Sequence, residues 1–336
     1  MGSRYNHLSA EDRNGIQTGL NLGLSRRALA GRLHRAASTV SREIRRCRGS
    51  YDAARAGQQA RGRRRRGPHK LAPGSALERT VQAELQQGWS PEQIAGRLKH
   101  MHPDAPSERV SHESIYAYIY AQPRGELRKL LIGALRQSHK ARLPRGRGQD
   151  RRGRLRDMAS IHERPIEAQG RQVAGHWEGD LLKGARNASA VGTLVERKSR
   201  FVLLAKVDGT DAESVLDGFT RRLRTLPARL RKTLTYDQGK EMSRHQELAE
   251  RLHLRVYFAD PHSPWQRPTN ENTNGLLRED LPKGLDLSTL SQRDLTRVAT
   301  ALNTRPRKCL GFLTPEEVMS TEINHLNVKT REIVYI

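Results

Sequence analysis

Hydrophobic residues in the first 50 positions recur every three or four residues, which is the spacing of short amphipathic helices. Ser9, with a carboxylate three residues later at Asp12, predicts the start of a first helix, and Gly23 predicts its end. Ser25 and Ser38 predict the starts of a second and a third helix. Two short helices joined by a tight turn can place one helix in the major groove of DNA, so we interpret this region as a helix-turn-helix domain.

The predicted third helix presents hydroxyl and guanidinium groups on the face opposite its apolar residues Val40 and Ile44. Such groups can contact phosphates and base edges. An ordinary three-helix bundle with a solvated basic face is the alternative, because helical hairpins are common. The candidate DNA contacts on this helix are Ser38, Thr39, Ser41, Arg42, Arg45 and Arg46.

A comparable helical pattern follows between residues 76 and 140. Ser90 and Gln93 have the spacing of a capping box, and a further capped helix is predicted from Ser111. We interpret this region as a second helix-turn-helix domain, with His112 as a candidate DNA contact. Two DNA-reading domains in one chain imply a long or bipartite site on DNA.

After residue 171 the pattern changes to short apolar and β-branched runs that are typical of strands. Helical patterns alternate with the later runs, which predicts a mixed sheet flanked by helices. The predicted strands are 176–182, 189–197, 201–207, 233–237 and 254–258, and the predicted helices are 211–226, 247–252 and one through Glu271.

Charge divides the chain in the same place. The 336 residues carry 61 Lys plus Arg and 36 Asp plus Glu, a net charge of +25, and 34 of those cations with 15 of the acids lie in residues 1–170. A strongly basic front half is expected of a DNA-binding region, since neutralisation of phosphates supplies most sequence-independent affinity. The alternative is a soluble protein that is merely basic.

Two basic segments rich in Gly, at 51–75 and 141–170, are predicted to be linkers, because like charges with Gly and Pro do not collapse into a core. Arg63, Arg64, Arg65 and Arg66 are candidate phosphate contacts in the first of them. No apolar stretch approaches the roughly 20 residues that cross a bilayer. No apolar signal core follows the start of the chain, so we expect a cytoplasmic protein without a membrane partner.

Three acids follow or border the predicted strands. Asp180 and Asp237 lie at the ends of apolar strands, and Glu271, separated from Asp237 by 33 residues, begins a helix. Such acids repel one another unless a divalent cation neutralises them, and oxygen ligands suit Mg²⁺ or Mn²⁺. Two such ions can activate a water or a 3′-hydroxyl and stabilise the leaving oxygen of a phosphoryl displacement. With only two cysteines, a four-cysteine zinc site is excluded.

Each acid also has a structural interpretation. Asp180 and Asp237 are compatible with turn positions, and Glu271 is compatible with a residue that favours the helix dipole. Glu178, two residues before Asp180 on the same strand face, is a candidate substitute ligand, and Asp260 is a candidate support from its loop.

Several strings in one order resemble the insertion-sequence 30 family of DDE transposases over nearly the whole chain. They are His176-Trp177-Glu178-Gly179-Asp180, Gly192-Thr193-Leu194-Val195-Glu196-Arg197, Asp237-Gln238-Gly239-Lys240-Glu241, Ser263-Pro264-Trp265-Gln266-Arg267, Asn270-Glu271-Asn272-Thr273-Asn274-Gly275 and Leu302-Asn303-Thr304-Arg305-Pro306-Arg307-Lys308. The resemblance implies an RNase H-like catalytic domain with Asp180, Asp237 and Glu271 as its metal-binding triad, and the 33-residue gap matches the family's spacing.

The sequence departs from the family pattern at a few positions. Pro268 and Thr269 replace the usual Gly and small residue before Asn270, and Gln238 replaces Asn. None of these changes removes a predicted metal ligand. Pro268 is expected to stiffen the loop that positions Glu271, which bears on the level of activity rather than its type.

The resemblance also implies helix-turn-helix binding to the terminal inverted repeats of a bacterial mobile element, attack on target DNA, two ions per active site and at least a homodimer on DNA. Such a protein is expected to be associated with the nucleoid when it is bound to DNA. Second-rank candidates for contacts to the scissile phosphate or the carboxylates are His176, Lys240, Arg267, Asn270, Asn272 and Asn274.

The expected fold is a multidomain chain in which all-α helix-turn-helix modules precede an α/β RNase H-like mixed-sheet domain. Its predicted parts are a helix-turn-helix domain at 1–50, a basic linker at 51–75, a second helix-turn-helix domain at 76–140, a basic linker at 141–170, the catalytic domain at 171–320 and a tail at 321–336. Two alternatives remain: a DNA-binding regulator with a degenerate nuclease fold, and an RNase H-like nuclease without strand transfer.

Overall fold

The structure is a computed structural model that describes residues 7–47, 49–64, 70–123, 125, 157–261 and 263–334. The chain divides into two units, Met1–Ala72 and Pro73–Ile336. Among the candidate DNA contacts, Arg65 and Arg66 lie outside the described residues. No helix in the described part of the chain combines the length and apolar character that a membrane span requires.

The described residues of the first unit form four helices, and the predicted cap residues start the first two. They are α1 (Ala10–Asn21), α2 (Arg26–Arg32), α3 (Ala37–Arg46) and α4 (Ala53–Arg64). Ser9 and Asp12 make the reciprocal bonds of a capping box at the start of α1. Ile16, Leu29 and Val40 are buried in the core. The three predicted helices are therefore confirmed.

Helix α4 differs from the linker predicted at 51–75. Ala53, Ala56 and Ala60 are buried, and α4 packs against α1. Alanines at helical spacing let two helices approach closely, but this apolar stripe is weak in the sequence because arginines and glycines surround it. Arg63 and Arg64 are the last residues of α4.

A five-stranded mixed sheet forms the centre of the second unit, as predicted. The strands are β1 (His176–Lys183), β2 (Ala190–Glu196), β3 (Val202–Lys206), β4 (Thr233–Tyr236) and β5 (Arg255–Phe258). Their order in the sheet is β3-β2-β1-β4-β5. Pairs β1–β2 and β2–β3 are antiparallel, whereas β1–β4 and β4–β5 are parallel.

Helices cover both faces of this sheet. Among the described residues of the second unit, the helices are α5 (Ala76–Gln86), α6 (Pro91–Met101), α7 (His112–Ala121), α8 (Ile166–Gly170), α9 (Ala212–Leu223), α10 (His245–Leu252), α11 (Pro268–Leu277), α12 (Gln292–Asn303) and α13 (Pro315–Val334). Trp177 and Phe219 belong to the core beneath α9 and α10. Leu182 and Leu295 belong to the core on the opposite face, beneath α11 and α12. The even-numbered residues of β1, Asp180 among them, face α11.

Helices α5 to α7 belong to the same unit as the sheet, which differs from the separate domain predicted at 76–140. Gln93 Nε2 donates a hydrogen bond to the carbonyl of Pro306, and Arg97 pairs with Glu317. Gly96 lets α6 approach Phe312, since a Cβ at this position would lie 2.2 Å from the ring. Contacts across more than 200 residues of sequence are not visible in a local helical pattern.

Two further segments are ordered parts of this unit. Within the linker predicted at 141–170, Ile161 and Arg164 are buried, and Ser160 bridges to Phe258 at the edge of the sheet. The tail predicted at 321–336 continues α13 as far as Val334, and Glu322 pairs with Lys198 at 2.6 Å. The residues that these segments contact are distant in sequence and come close only in the folded unit. Composition alone therefore predicted a linker and a tail.

Candidate active site

Asp180 and Asp237 come together because β1 and β4 are parallel neighbours. Asp180 lies on β1, and Asp237 directly follows β4. Arg267 joins them: its Nη1 is 3.7 Å from Asp180 Oδ1, and its Nη2 is 3.3 Å from Asp237 Oδ2. Arg267 Nη1 also donates a hydrogen bond of 2.9 Å to the carbonyl of Gly179. The two carboxylates therefore share one guanidinium.

Burial is the main influence on Asp180 and raises the pKa of its carboxyl to about 6, against the opposing effect of Arg267. The negative charges of Asp237 and Glu241 add to this increase, and the hydrogen bond from Leu181 N opposes it. Ionisation of a buried carboxyl next to a second carboxylate is unfavourable, and a cation bound between them would stabilise both negative charges. Two such oxygen donors fit a hard divalent ion such as Mg²⁺ or Mn²⁺.

The third predicted acid, Glu271, is exposed in the first turn of α11. Asn274, three residues later on the same helix, donates a hydrogen bond of 2.9 Å from Nδ2 to Asp180 Oδ2. Residues three apart share a helix face, so Glu271 lies on the face that Asn274 turns toward Asp180. Within the residues that the structure describes, no group of three acidic, His or Cys side chains is arranged to hold a metal. The structure thus joins Asp180 and Asp237 through Arg267, and Glu271 lies on the helix that Asn274 connects to Asp180.

Asn270 fixes α11 to the sheet and is buried, which contradicts its prediction as a DNA contact. Its Nδ2 donates to the carbonyl of Glu178, and its Oδ1 accepts from Thr193. Its backbone N–H donates to Glu178 Oε2 at 2.9 Å. Glu178 is fully buried and also pairs with Arg197 at 2.9 Å, so it is not available as a substitute metal ligand.

The remaining candidates are dispersed. Lys240 is exposed in the turn after Asp237, and His112 is exposed beside Glu113, 3.4 Å away. His176 is buried at the start of β1, about 13 Å along the strand from Asp180, so it is not a candidate for contact with the scissile phosphate. His162 and Gln266 contact the carboxylate of Asp260.

In the first unit, α3 presents the predicted basic face to solvent. Arg42, Arg45 and Arg46 are exposed, whereas Val40 is buried as expected. Ser38 is also exposed, and Thr39 and Ser41 are half-buried. The orientation of this face is confirmed, and its contact with DNA stays a prediction.

Sequence reasoning assigned no role to four further charged residues. Glu241 acts electrostatically on Asp180, and three arginines, Arg164, Arg171 and Arg197, line a cavity on the same face of the sheet. The string around Asp237 did contain Glu241. Arg164 and Arg171 lie seven residues apart on either side of α8, whereas Arg197 follows β2, and no motif in the sequence connects the first two with Arg197.

Comparison with known proteins identifies the family. A helix-turn-helix domain model matches residues 4–47, and an integrase core domain model matches residues 170–264. The chain is 54% identical over 323 residues to the transposase for insertion sequence element IS1086 of Cupriavidus metallidurans, covering 95% of each protein. It is 42% identical to transposase InsI for insertion sequence element IS30A of Escherichia coli, covering 93% of this chain and 83% of that protein. The chain belongs to the insertion-sequence 30 family of transposases.

A third relative, the transposase for insertion sequence element IS4351 of Bacteroides fragilis, is 34% identical and covers 96% of this chain and 98% of its own length. The insertion-sequence 30 assignment confirms the order of a helix-turn-helix region before an integrase-type core. The integrase core match ends at residue 264, before Glu271. Transposase function follows from the family, and neither alternative from the sequence is favoured.

Proposed function

We propose that Asp180, Asp237 and Glu271 are the metal-binding triad of a DDE transposase that cleaves DNA at terminal inverted repeats and joins the freed 3′-hydroxyl to target DNA. The observation that carries the proposal is the convergence of Asp180 and Asp237 on Arg267, with α11 held against Asp180 by Asn274. Glu271 is the acid on that helix face.

The chain's own residues contribute geometry and charge. Asn274 orients the Asp180 carboxylate, and Asn270 fixes the first turn of α11, so that Glu271 is presented from a rigid helix. Arg267 compensates the paired carboxylates and is placed to contact a phosphate that approaches them. Asp180, Asp237 and Glu271 would hold Mg²⁺ or Mn²⁺. When bound, two such ions supply activation of the attacking hydroxyl and stabilisation of the leaving oxygen.

The first unit supplies DNA recognition in this proposal. The exposed face of α3 carries the arginines that neutralise phosphates and the hydroxyls that can reach base edges. Cleavage of paired repeat ends requires that both ends be held together, so we infer at least a dimer on DNA. The net charge of +25 favours double-stranded DNA as the partner in a cytoplasmic setting.

Asp237→Asn tests the catalytic assignment because it removes one charge and keeps the side-chain shape. We expect unchanged gel-shift binding to a repeat-end duplex and loss of Mg²⁺-dependent cleavage and strand transfer. Asp208→Asn is the matched control, since Asp208 is an exposed acid in the loop after β3, and it should retain activity. Cleavage by Asp237→Asn at the unaltered rate would refute the triad, and cleavage without strand transfer in the unaltered protein would favour a nuclease.

A further inference from the structure

A cavity of about 320 Å³ lies beside the candidate active site, and three arginines line it. Arg164 and Arg197 are buried, with 8% and 4% of their surface exposed, and Arg171 is half-buried. Trp265 and Gln266 line the same cavity. We call it the Trp265 pocket.

The Trp265 pocket holds more positive charge than its acids neutralise. Glu178 pairs with Arg197, and Arg164 Nη1 donates to Thr235 Oγ1 at 3.2 Å. The Nε atoms of both arginines are buried and bond to no atom that the structure describes. The pKa of Arg197 is lowered to about 10, mainly by burial; the charge of Glu178 opposes this decrease, and the charges of Arg164 and Arg171 add to it. Three mutually repelling guanidiniums, of which one is paired with a carboxylate, fit an anion such as a phosphodiester.

An exposed aromatic side chain stands at the mouth of this basic cavity. The indole of Trp265 is 70% exposed, although large apolar side chains usually lose most of their exposed surface on folding. Trp265 lies in a short turn, Pro264–Gln266, two residues before Arg267, which contacts both carboxylates. Aromatic faces next to cationic grooves are the platforms on which unpaired bases stack.

We propose that the Trp265 pocket holds one unpaired nucleotide of the DNA strand beside the reacting carboxylates, with its phosphodiester on Arg164, Arg171 and Arg197 and its base stacked on Trp265. This inference rests on the proposed function, because it assigns the pocket's strand to the DNA that is cut. A base within a duplex is already covered on both faces, so an indole can stack only on a base that has left the helix.

The Trp265 pocket is connected to β1 close to the first carboxylate. Arg197 pairs with Glu178, which precedes Asp180 by two residues on β1, a separation of about 7 Å along the strand. A phosphodiester bound by Arg197 would therefore lie near the reacting carboxylates.

Tryptophan fluorescence of the full chain tests the stacking directly. The probe is a single-stranded oligothymidylate of about 12 nucleotides, titrated without divalent ions at elevated salt, where contacts from other basic surfaces weaken. We expect quenching of emission in the unaltered protein and in Trp89→Phe, and loss of the quenching in Trp265→Phe. The chain has three tryptophans, and Trp177 is fully buried. Quenching that persists in Trp265→Phe, or disappears in Trp89→Phe, would overturn the proposal.

Binding of two matched oligomers separates the base from the phosphate. Trp265→Ala should weaken binding of oligothymidylate by about tenfold and leave an abasic oligomer of the same length unaffected, whereas Arg171→Ala should weaken both. If Trp265→Ala weakened the binding of both oligomers equally, the indole would not recognise a base. The binding measurements need no catalysis, so the two proposals can fail separately. If Asp237→Asn cleaves DNA while oligothymidylate still quenches the unaltered protein, the triad alone is refuted. If cleavage depends on Asp237 but oligothymidylate does not quench the unaltered protein, the Trp265 pocket alone is refuted.

Discussion

The side-chain amide of Asn274 donates a hydrogen bond of 2.9 Å to Oδ2 of Asp180. This bond connects α11 with β1 at the site of the paired carboxylates. Glu271 lies one turn earlier on the same helix face. Asn274, not Glu271 itself, therefore fixes the position of Glu271 beside β1. Among the described atoms, the Glu271 side chain makes no contact that would do so.

Glu271→Gln should reduce Mg²⁺-dependent cleavage by at least about 100-fold, because an amide retains the shape but not the charge of a metal ligand. DNA binding in a gel-shift assay should stay the same. Glu250→Gln, which changes an exposed glutamate on α10, is the control and should cleave normally. Full activity of Glu271→Gln would exclude Glu271 from the triad.

Arg45→Ala should weaken DNA binding and reduce the slope of log affinity against log salt by about 1, as expected when one phosphate contact is lost. The measurement is fluorescence anisotropy of a labelled repeat-end duplex at several salt concentrations. Arg293→Ala removes an equally exposed arginine from α12 and should leave the slope unchanged. An unaltered slope in Arg45→Ala would show that this residue does not contact a phosphate.

His176 should make the second unit sensitive to acid. Burial lowers the pKa of its imidazole to about 4, although the nearby Glu167 opposes this effect. The unfolded chain takes up the proton near pH 6.5, so the stability from the neutral ring is complete above that pH and is lost as the pH falls toward 4. The loss is up to about 3 kcal/mol at the acid end.

Denaturant unfolding of His176→Gln, compared with the unaltered chain at pH 7 and pH 4.5, measures this contribution. The variant should lose less stability on acidification than the unaltered chain. His100→Gln replaces an exposed histidine and should follow the unaltered chain. Identical pH dependence of all three proteins would contradict the prediction.

Gly96→Ala should destabilise the second unit although alanine normally stabilises a helix interior by about 0.5–1 kcal/mol. The added Cβ would lie 2.2 Å from the ring of Phe312, so the ring must move and the docking of α6 is disturbed. We expect a net loss of about 1–3 kcal/mol in the free energy of unfolding. Gly275→Ala in α11, where a Cβ would meet nothing within 4 Å, should be neutral or stabilising.

Local chemistry made much of this fold predictable. Capping depends on residues three apart, so the pattern at Ser9 and Asp12 predicted the start of α1, and that at Ser90 and Gln93 predicted the start of α6. The ends of strands were predictable from apolar runs. Asp180 and Asp237 meet because β1 and β4 pair in parallel, although Asp180 lies within β1 rather than at its predicted end.

The unpredicted features depend on distant partners. The sequence suggests an exposed polar residue at Asn270, yet its side chain is hydrogen-bonded to Glu178 and Thr193. Helix α4 was missed because its apolar stripe consists only of alanines between charged residues. Two arginines of the Trp265 pocket flank α8 and the third follows β2, and only the folded unit brings Arg197 to the other two.

The docking of α6 has a consequence for synthesis of the chain. Gln93 bonds to Pro306, 213 residues later, so α6 lacks this partner until that part of the chain has left the ribosome. At about 5–20 residues per second, the wait is roughly 10–40 s. The first unit has its own core, whose residues all lie between Leu8 and Tyr51. A nascent chain therefore acquires its folded amino-terminal unit well before the sheet and its carboxylates are complete.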